Sequence, residues 1–135
     1  MAGRLIEIVH EFAHRRGGRP VKLLGDGVMF YFPDPAQGVC CGLELVDRIP
    51  EVGLPRARVG LHAGPVVFQD GDYFGRTVNI AARITDHARP GEVLVSDQVV
   101  ADADPLEAVR FEPVGPVSLK GLSAPITLYN AAHAR

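Results

Sequence analysis

Two cysteines are all that the 135-residue chain contains, and they are neighbours, Cys40 and Cys41. Adjacent cysteines cannot staple distant segments, so no disulfide framework is expected, and they read as reduced thiols in a cytosolic chain. An excess of positive charge is also missing. Fourteen basic residues against 16 acidic ones give a net charge of −2, and no basic cluster exceeds a few residues. That excludes a dedicated nucleic-acid-binding face. No apolar run approaches the ~18 residues of a membrane span. The first residues lack the charged, apolar and small-residue regions of a signal peptide. A cytoplasmic chain with no membrane segment is therefore expected. Metal ligands are sparse too. His10 and His14 lie four apart on an expected helix with no third ligand in view, and read as a solvated helix face rather than a zinc site. What the chain does have is 47% apolar against 22% charged residues in 14.5 kDa, the composition of one folded domain.

The order of periodic segments sets the fold class. Leu5, Ile8, Val9 and Phe12 recur at helical spacing within residues 4–16, and Gly17-Gly18 ends that helix. Residues 21–24 and 28–32 read as strands joined by Gly25-Asp26-Gly27, a strong hairpin signal. Pro33-Asp34-Pro35 breaks the second strand, and a helix over residues 36–49 follows. Strands are expected at 58–62 and 66–69, a turn at Asp70-Gly71-Asp72, and a helix at 76–87. A short strand at 93–96, a short helix opened by Asp97, and strands at 109–114 and 125–131 complete the pattern. Helices alternate with strands, and hairpins are present, which places the chain in the α+β class or among mixed α/β sandwiches.

Six residues stand out as carriers of chemistry. Lys22 precedes Asp26 by four positions, Asp72 precedes Asn79 by seven, Asn79 and Arg83 share one helix face, and Lys120 sits in Leu119-Lys120-Gly121. Taken singly, each has an ordinary reading. Asp26 fits a hairpin aspartate, and Asp72 fits a turn residue or helix cap. Asn79 with Arg83 fits a solvated helix face, and Lys120 an exposed lysine.

Their order along the chain changes that reading. Residues 21–29, Val-Lys-Leu-Leu-Gly-Asp-Gly-Val-Met, resemble the Lys-x-x-Gly-Asp hairpin of class III nucleotidyl cyclases. Residues 58–66 are similar to the strand and turn that follow in that family, and residues 72–83 to its dimer-interface helix. Pro90-Gly91-Glu92-Val93-Leu94-Val95-Ser96 and Leu119-Lys120-Gly121 resemble its closing segments. The short connection between Val66 and Asp72 looks most like bacterial members with a brief arm. The resemblance covers nearly the whole chain. It implies conversion of ATP to cyclic AMP and pyrophosphate, with Mg²⁺ or Mn²⁺ as cofactor in a two-metal displacement. It also implies a site formed between two chains, in a homodimer or in a heterodimer with another cyclase domain. By position, Asp26 matches a metal aspartate, Arg83 the arginine that stabilises charge on the α-phosphoryl group, and Asn79 the residue that positions the ribose. Lys120 matches a lysine near the triphosphate, and Lys22 with Asp72 matches the purine-selecting pair. Lysine only donates hydrogen bonds and ionised aspartate only accepts them. Lys22 therefore suits adenine N1 and Asp72 the 6-amino group, which favours ATP over GTP.

One departure from the family bears on activity. Its other metal aspartate lies on an N-terminal strand, in a segment like Phe-x-Asp-Ile-x-Gly-Phe, and only Met1-Ala2-Gly3 stands before Arg4. The expectation is thus a single cyclase catalytic domain over residues 1–135, N-terminally truncated. Its fold is expected to be a ferredoxin-like-related sandwich lacking the first strand and helix, with unpaired backbone where that strand would lie. The alternative reading of function is a catalytically impaired ATP-binding regulatory or partner subunit.

Overall fold

The computed structural model describes residues 2–24, 27–69, 72–103 and 106–134, with the side chains of residues 2, 22–24 and 72–74 left aside. Twelve elements follow in chain order among the described residues: α1 (Ala2–Arg15), β1 (Arg19–Leu24), β2 (Gly27–Tyr31), α2 (Pro35–Glu51), β3 (Val59–Leu61), β4 (Val67–Gln69), β5 (Asp72–Phe74), α3 (Arg76–His87), β6 (Val93–Ser96), α4 (Asp97–Ala103), β7 (Val109–Val117) and β8 (Ile126–His133). The α+β expectation holds.

The strand β6 explains the layering. All four of its residues, Val93-Leu94-Val95-Ser96, are buried. A continuous apolar run of this kind needs cover on both faces of its sheet. Val93 and Val95 pack with Val39 and Leu43 of α2 and Val99 of α4. Leu94, one residue out of phase, packs with Ile80 and Ile84 of α3 and Leu128 of β8. The central sheet runs β3-β6-β8-β7, with β3 parallel to β6 and the remaining pairs antiparallel. Helices α2 and α4 therefore cover one face and α3 the other.

A third cluster joins α1 to α2 through Ala13, Cys41, Leu45 and Ile49. The connection after α1 is tied down by Arg16, which donates from Nη2 to Glu44 Oε2 at 2.7 Å and from Nη1 to Gln37 Oε1 at 3.1 Å. This charge-assisted bonding holds the Arg16 guanidinium above its ordinary pKa. Asp34 caps α2 by accepting from the Ala36 amide at 3.0 Å, and Pro35 occupies the first helical position, where its missing N–H costs nothing.

Several boundaries differ from the sequence expectation, each for a local reason. Helix α2 continues through Pro50 to Glu51; Pro50 forgoes the one N–H bond it would make to the Val46 carbonyl, and the helix ends one residue later. Asp72 lies on the strand β5, paired with Gln69 in a β4–β5 hairpin, rather than in a turn. Residues 70 and 71 of the expected turn lie outside the described residues. Strand β7 runs past residue 114 to Val117 because a register shift between Pro113 and Gly115 keeps the ladder with β8 going.

The central sheet, the β1–β2 hairpin and the β4–β5 hairpin are three separate hydrogen-bonded sheets. Among the described residues β2 and β3 are not hydrogen-bonded to each other.

Candidate active site

Helix α3 positions two of the expected site residues. Its buried side carries Thr77, Ile80 and Ile84, spaced at three and four residues, which seats that stripe on the sheet. Asn79 and Arg83 fall off the stripe and are exposed together. Arg83 Nη1 lies 3.8 Å from Asp86 Oδ2, with both side chains well exposed. A pair of that length and exposure is worth under ~1 kcal/mol, so the guanidinium is held only weakly and stays available to an anionic ligand.

Two glycines fix where α3 sits. A Cβ added at Gly60, on β3, would lie 2.4 Å from the Thr85 backbone nitrogen and 2.5 Å from its hydroxyl. The helix therefore approaches the strand more closely than any side chain would allow. Gly75 precedes the helix at φ +119°, a region that L side chains rarely adopt, and its carbonyl accepts from the Asn79 amide at 3.3 Å. Both features point to the same end: the first turn of α3, which carries Asn79, is set by backbone geometry rather than by a side-chain cap.

The remaining sequence-derived positions divide into three groups. Lys22 lies on β1 opposite Met29 of β2. Asp72 begins β5, and β1 packs against β5, so the strands carrying the expected purine pair adjoin. Lys120 is exposed in the turn between β7 and β8. Its neighbour Leu119 is buried in the cluster formed by Ile80, Ile84 and Leu128, which anchors that turn to the layer beneath α3. Asp26 lies outside the described residues.

A cavity of about 480 Å³ opens between the β1–β2 hairpin and β3. Residues 29–32 line one side and residues 61–64 the other. Of these, only Met29–Tyr31 of β2 and Leu61 of β3 are strand residues, so the cavity is a slot between β2 and the end of β3 with the segment that follows it, and Thr77 and Val78 of α3 stand in its wall.

The described residues do not make a metal centre. They contain no group of three or more histidine, cysteine, aspartate or glutamate side chains placed to hold an ion. Cysteine chemistry has no support either, since burial pushes the Cys41 thiol up to about 11 and leaves it protonated near neutrality.

The sequence expectation passed over a polar pair at the slot, His62 in its wall and the buried Ser96 behind it. His62 Nδ1 and Ser96 Oγ are 2.7 Å apart, at the ends of the parallel neighbours β3 and β6. Desolvation lowers the His62 pKa below its ordinary value, and Arg76 lowers it further, while Asp97 opposes them. A polar residue closing each of two apolar strand runs, Val-Gly-Leu-His and Val-Leu-Val-Ser, was the signal available. Gly60 inside an apolar strand likewise marks a close backbone approach.

The family model described as "Adenylate and Guanylate cyclase catalytic domain" matches residues 3–131. The chain belongs to the adenylate and guanylate cyclase catalytic-domain family. It is 38% identical over 113 residues to the pH-sensitive adenylate cyclase MT1302 of Mycobacterium tuberculosis, covering 81% of this chain and 28% of that protein. It is 39% identical over 99 residues to an adenylate cyclase of Streptomyces coelicolor, covering 73% of this chain and 25% of that one. The chain thus spans little more than a quarter of these curated relatives. Among solved structures it resembles an adenylate/guanylate cyclase/hydrolase from Silicibacter pomeroyi, with TM-score 0.79, 30% identity, and coverage of 93% of this chain and 79% of that one. The adenylyl cyclase CyaB of P. aeruginosa has the same fold, with TM-score 0.82, 22% identity, and coverage of 99% and 81%.

The seat of the cyclase helix α3 is open to test. Gly60→Ala is expected to destabilise the fold by about 1–3 kcal/mol, the usual cost of overpacking a tight contact. Gly3→Ala, where an added Cβ meets nothing within 4 Å, serves as the control. Urea unfolding of both variants measures the difference, and equal midpoints would contradict the close-approach argument.

Proposed function

We propose that the chain is the catalytic domain of a class III adenylate cyclase, converting ATP to 3′,5′-cyclic AMP and pyrophosphate. In this reading the ribose 3′-oxygen bonds to the α-phosphorus, the bond from that phosphorus to the bridging oxygen of the β-phosphate breaks, and pyrophosphate departs. The observation that carries the reading is the arrangement of two pairs. The strands bearing Lys22 and Asp72 adjoin, and Asn79 and Arg83 share an exposed face of the neighbouring helix α3. Relatives bearing the name adenylate cyclase support the same choice.

Each residue then has a task suited to its chemistry. Lys22 donates to adenine N1 and Asp72 accepts from the 6-amino group. Asn79 orients the ribose. Arg83 stabilises the charge that grows on the α-phosphoryl oxygens, where a planar guanidinium donates to two oxygens at once. Lys120 draws in the triphosphate as a point charge. Asn79 and Arg83 lie exposed on α3, so they are available to a site completed by a second chain, in a homodimer or a heterodimer with another cyclase domain. A cytoplasmic setting belongs to this reading, and among the described residues no helix is long and apolar enough to cross a membrane.

Mg²⁺ or Mn²⁺ is assigned to Asp26, since hard divalent ions favour carboxylate oxygens. One carboxylate is too few ligands for such an ion. The nucleotide phosphates would supply others. The ligand set also favours a second reading. Lys22, Asp72, Asn79 and Arg83 are all in this chain, whereas only Asp26 matches a metal position. A chain so equipped completes the site of an intact partner while binding metal poorly itself.

Two substitutions test the proposal in the full protein. Arg83→Ala is expected to lower turnover by roughly 10²–10³-fold, with a much smaller change in ATP affinity, because its work is done in the transition state. Equal losses in both would contradict the role. Lys22→Glu is expected to weaken ATP use relative to GTP, measured as the ratio of kcat/KM values. An unchanged ratio would remove Lys22 from purine selection. Cyclic AMP formed without an added partner supports the catalytic reading, whereas none alone but turnover on mixing with a homologous cyclase disabled at its own asparagine and arginine supports the partner subunit.

A further inference from the structure

Helix α3 is held by two successive polar contacts that begin in the slot. His62 follows the last residue of β3, and Ser96 is the last residue of β6. The parallel register ends at Leu61↔Val95, so the His62–Ser96 bond of 2.7 Å extends that pairing by one step through side chains. Ser96 is fully buried, which leaves it no water to exchange for the imidazole. Three residues after His62, the carbonyl of Pro65 accepts a hydrogen bond from the Thr77 hydroxyl at 2.7 Å. Gly64 makes room for that contact, because a Cβ there would lie 2.7 Å from the same hydroxyl. Thr77 is the second residue of α3, two before Asn79 and six before Arg83.

We infer that His62, fixed by Ser96, is a positioning residue that sets the 63–65 turn, and through Thr77 the first turn of α3, on which Asn79 and Arg83 depend. It touches no reacting atom in this assignment. The inference rests on the proposed cyclase reading for its consequence in turnover, but not for its consequence in structure.

The surroundings of the ring make the device sensitive to protons. Arg76 at the start of α3 and Asp97 at the start of α4 act on it with opposite sign. Tyr31 of β2 and Asp102 of α4 line the same slot. Burial favours the neutral ring. With the folded pKa below the unfolded one, the stabilisation from neutral His62 is present above the ordinary histidine value. It is lost as the pH falls through the lower, folded one. Protonating the half-buried ring therefore works against the packing at the start of α3.

Hydrogen exchange across residues 76–84 of the full chain tests this, with turnover read on the same samples. His62→Phe keeps the bulk of the ring and deletes the bond, and Ser96→Ala deletes it from the other side. Each is expected to speed exchange in the first turn of α3 by about 10-fold. His62→Asn places an amide nitrogen near the Nδ1 position and is expected to restore protection. Wild-type exchange is expected to rise, beyond the intrinsic change, as the pH falls below the ordinary histidine value, and that rise is expected to vanish in His62→Asn. Wild-type protection in both His62→Phe and Ser96→Ala, or a pH step that persists in His62→Asn, would overturn the inference. Altered exchange in a wild-type background that forms no cyclic nucleotide would leave the positioning in place and overturn the cyclase reading instead.

Discussion

The contact on which the site depends is the approach of α3 to β3 at Gly60. A Cβ at that position would fall inside the backbone of Thr85, so the helix and strand meet at a distance available only to glycine. The buried stripe of Ile80 and Ile84 then faces Leu94 and Leu128, and the opposite side of the helix is committed to solvent. Asn79 and Arg83 are where they are because the other side of α3 has no freedom. Dispersion and burial hold the helix down, while Gly75 and the Thr77–Pro65 hydrogen bond set how its first turn begins.

The same strand borders the open slot. Among the described residues β3 is hydrogen-bonded to β6 alone and β2 to β1 alone. Residues 61–64, at the end of β3 and just after it, line the slot opposite residues 29–32. Structure on one side of β3 bears directly on structure on the other, which is why His62 and Ser96 matter beyond their own hydrogen bond.

Much of the architecture was legible in the sequence. The four-residue buried run of β6, the amphipathic period of α3 and the Asp-Gly signal between β1 and β2 each follow from side-chain periodicity or turn chemistry. Asn79 and Arg83 were legible as one helix face because i and i+4 positions coincide. The strand β5 was not, since three residues are too few to show an alternation. Nor was the continuation of α2 through Pro50, which only end effects permit. The His62–Ser96 pair escaped because it joins residues 34 apart, and its partners meet only when β3 and β6 lie side by side. The roles of Lys22, Asp72 and Lys120 rested on family resemblance throughout, as strand adjacency and a buried Leu119 place their elements without fixing their chemistry.

The central claim is that the site built on α3 cyclises adenine nucleotide. The most direct measurement is the product formed from ATP, and separately from GTP, by the purified full protein with Mn²⁺. The account expects cyclic AMP and pyrophosphate in equal amounts, with ATP used in preference to GTP. Nucleotide binding without either product, or cyclic GMP formed in preference, would contradict it.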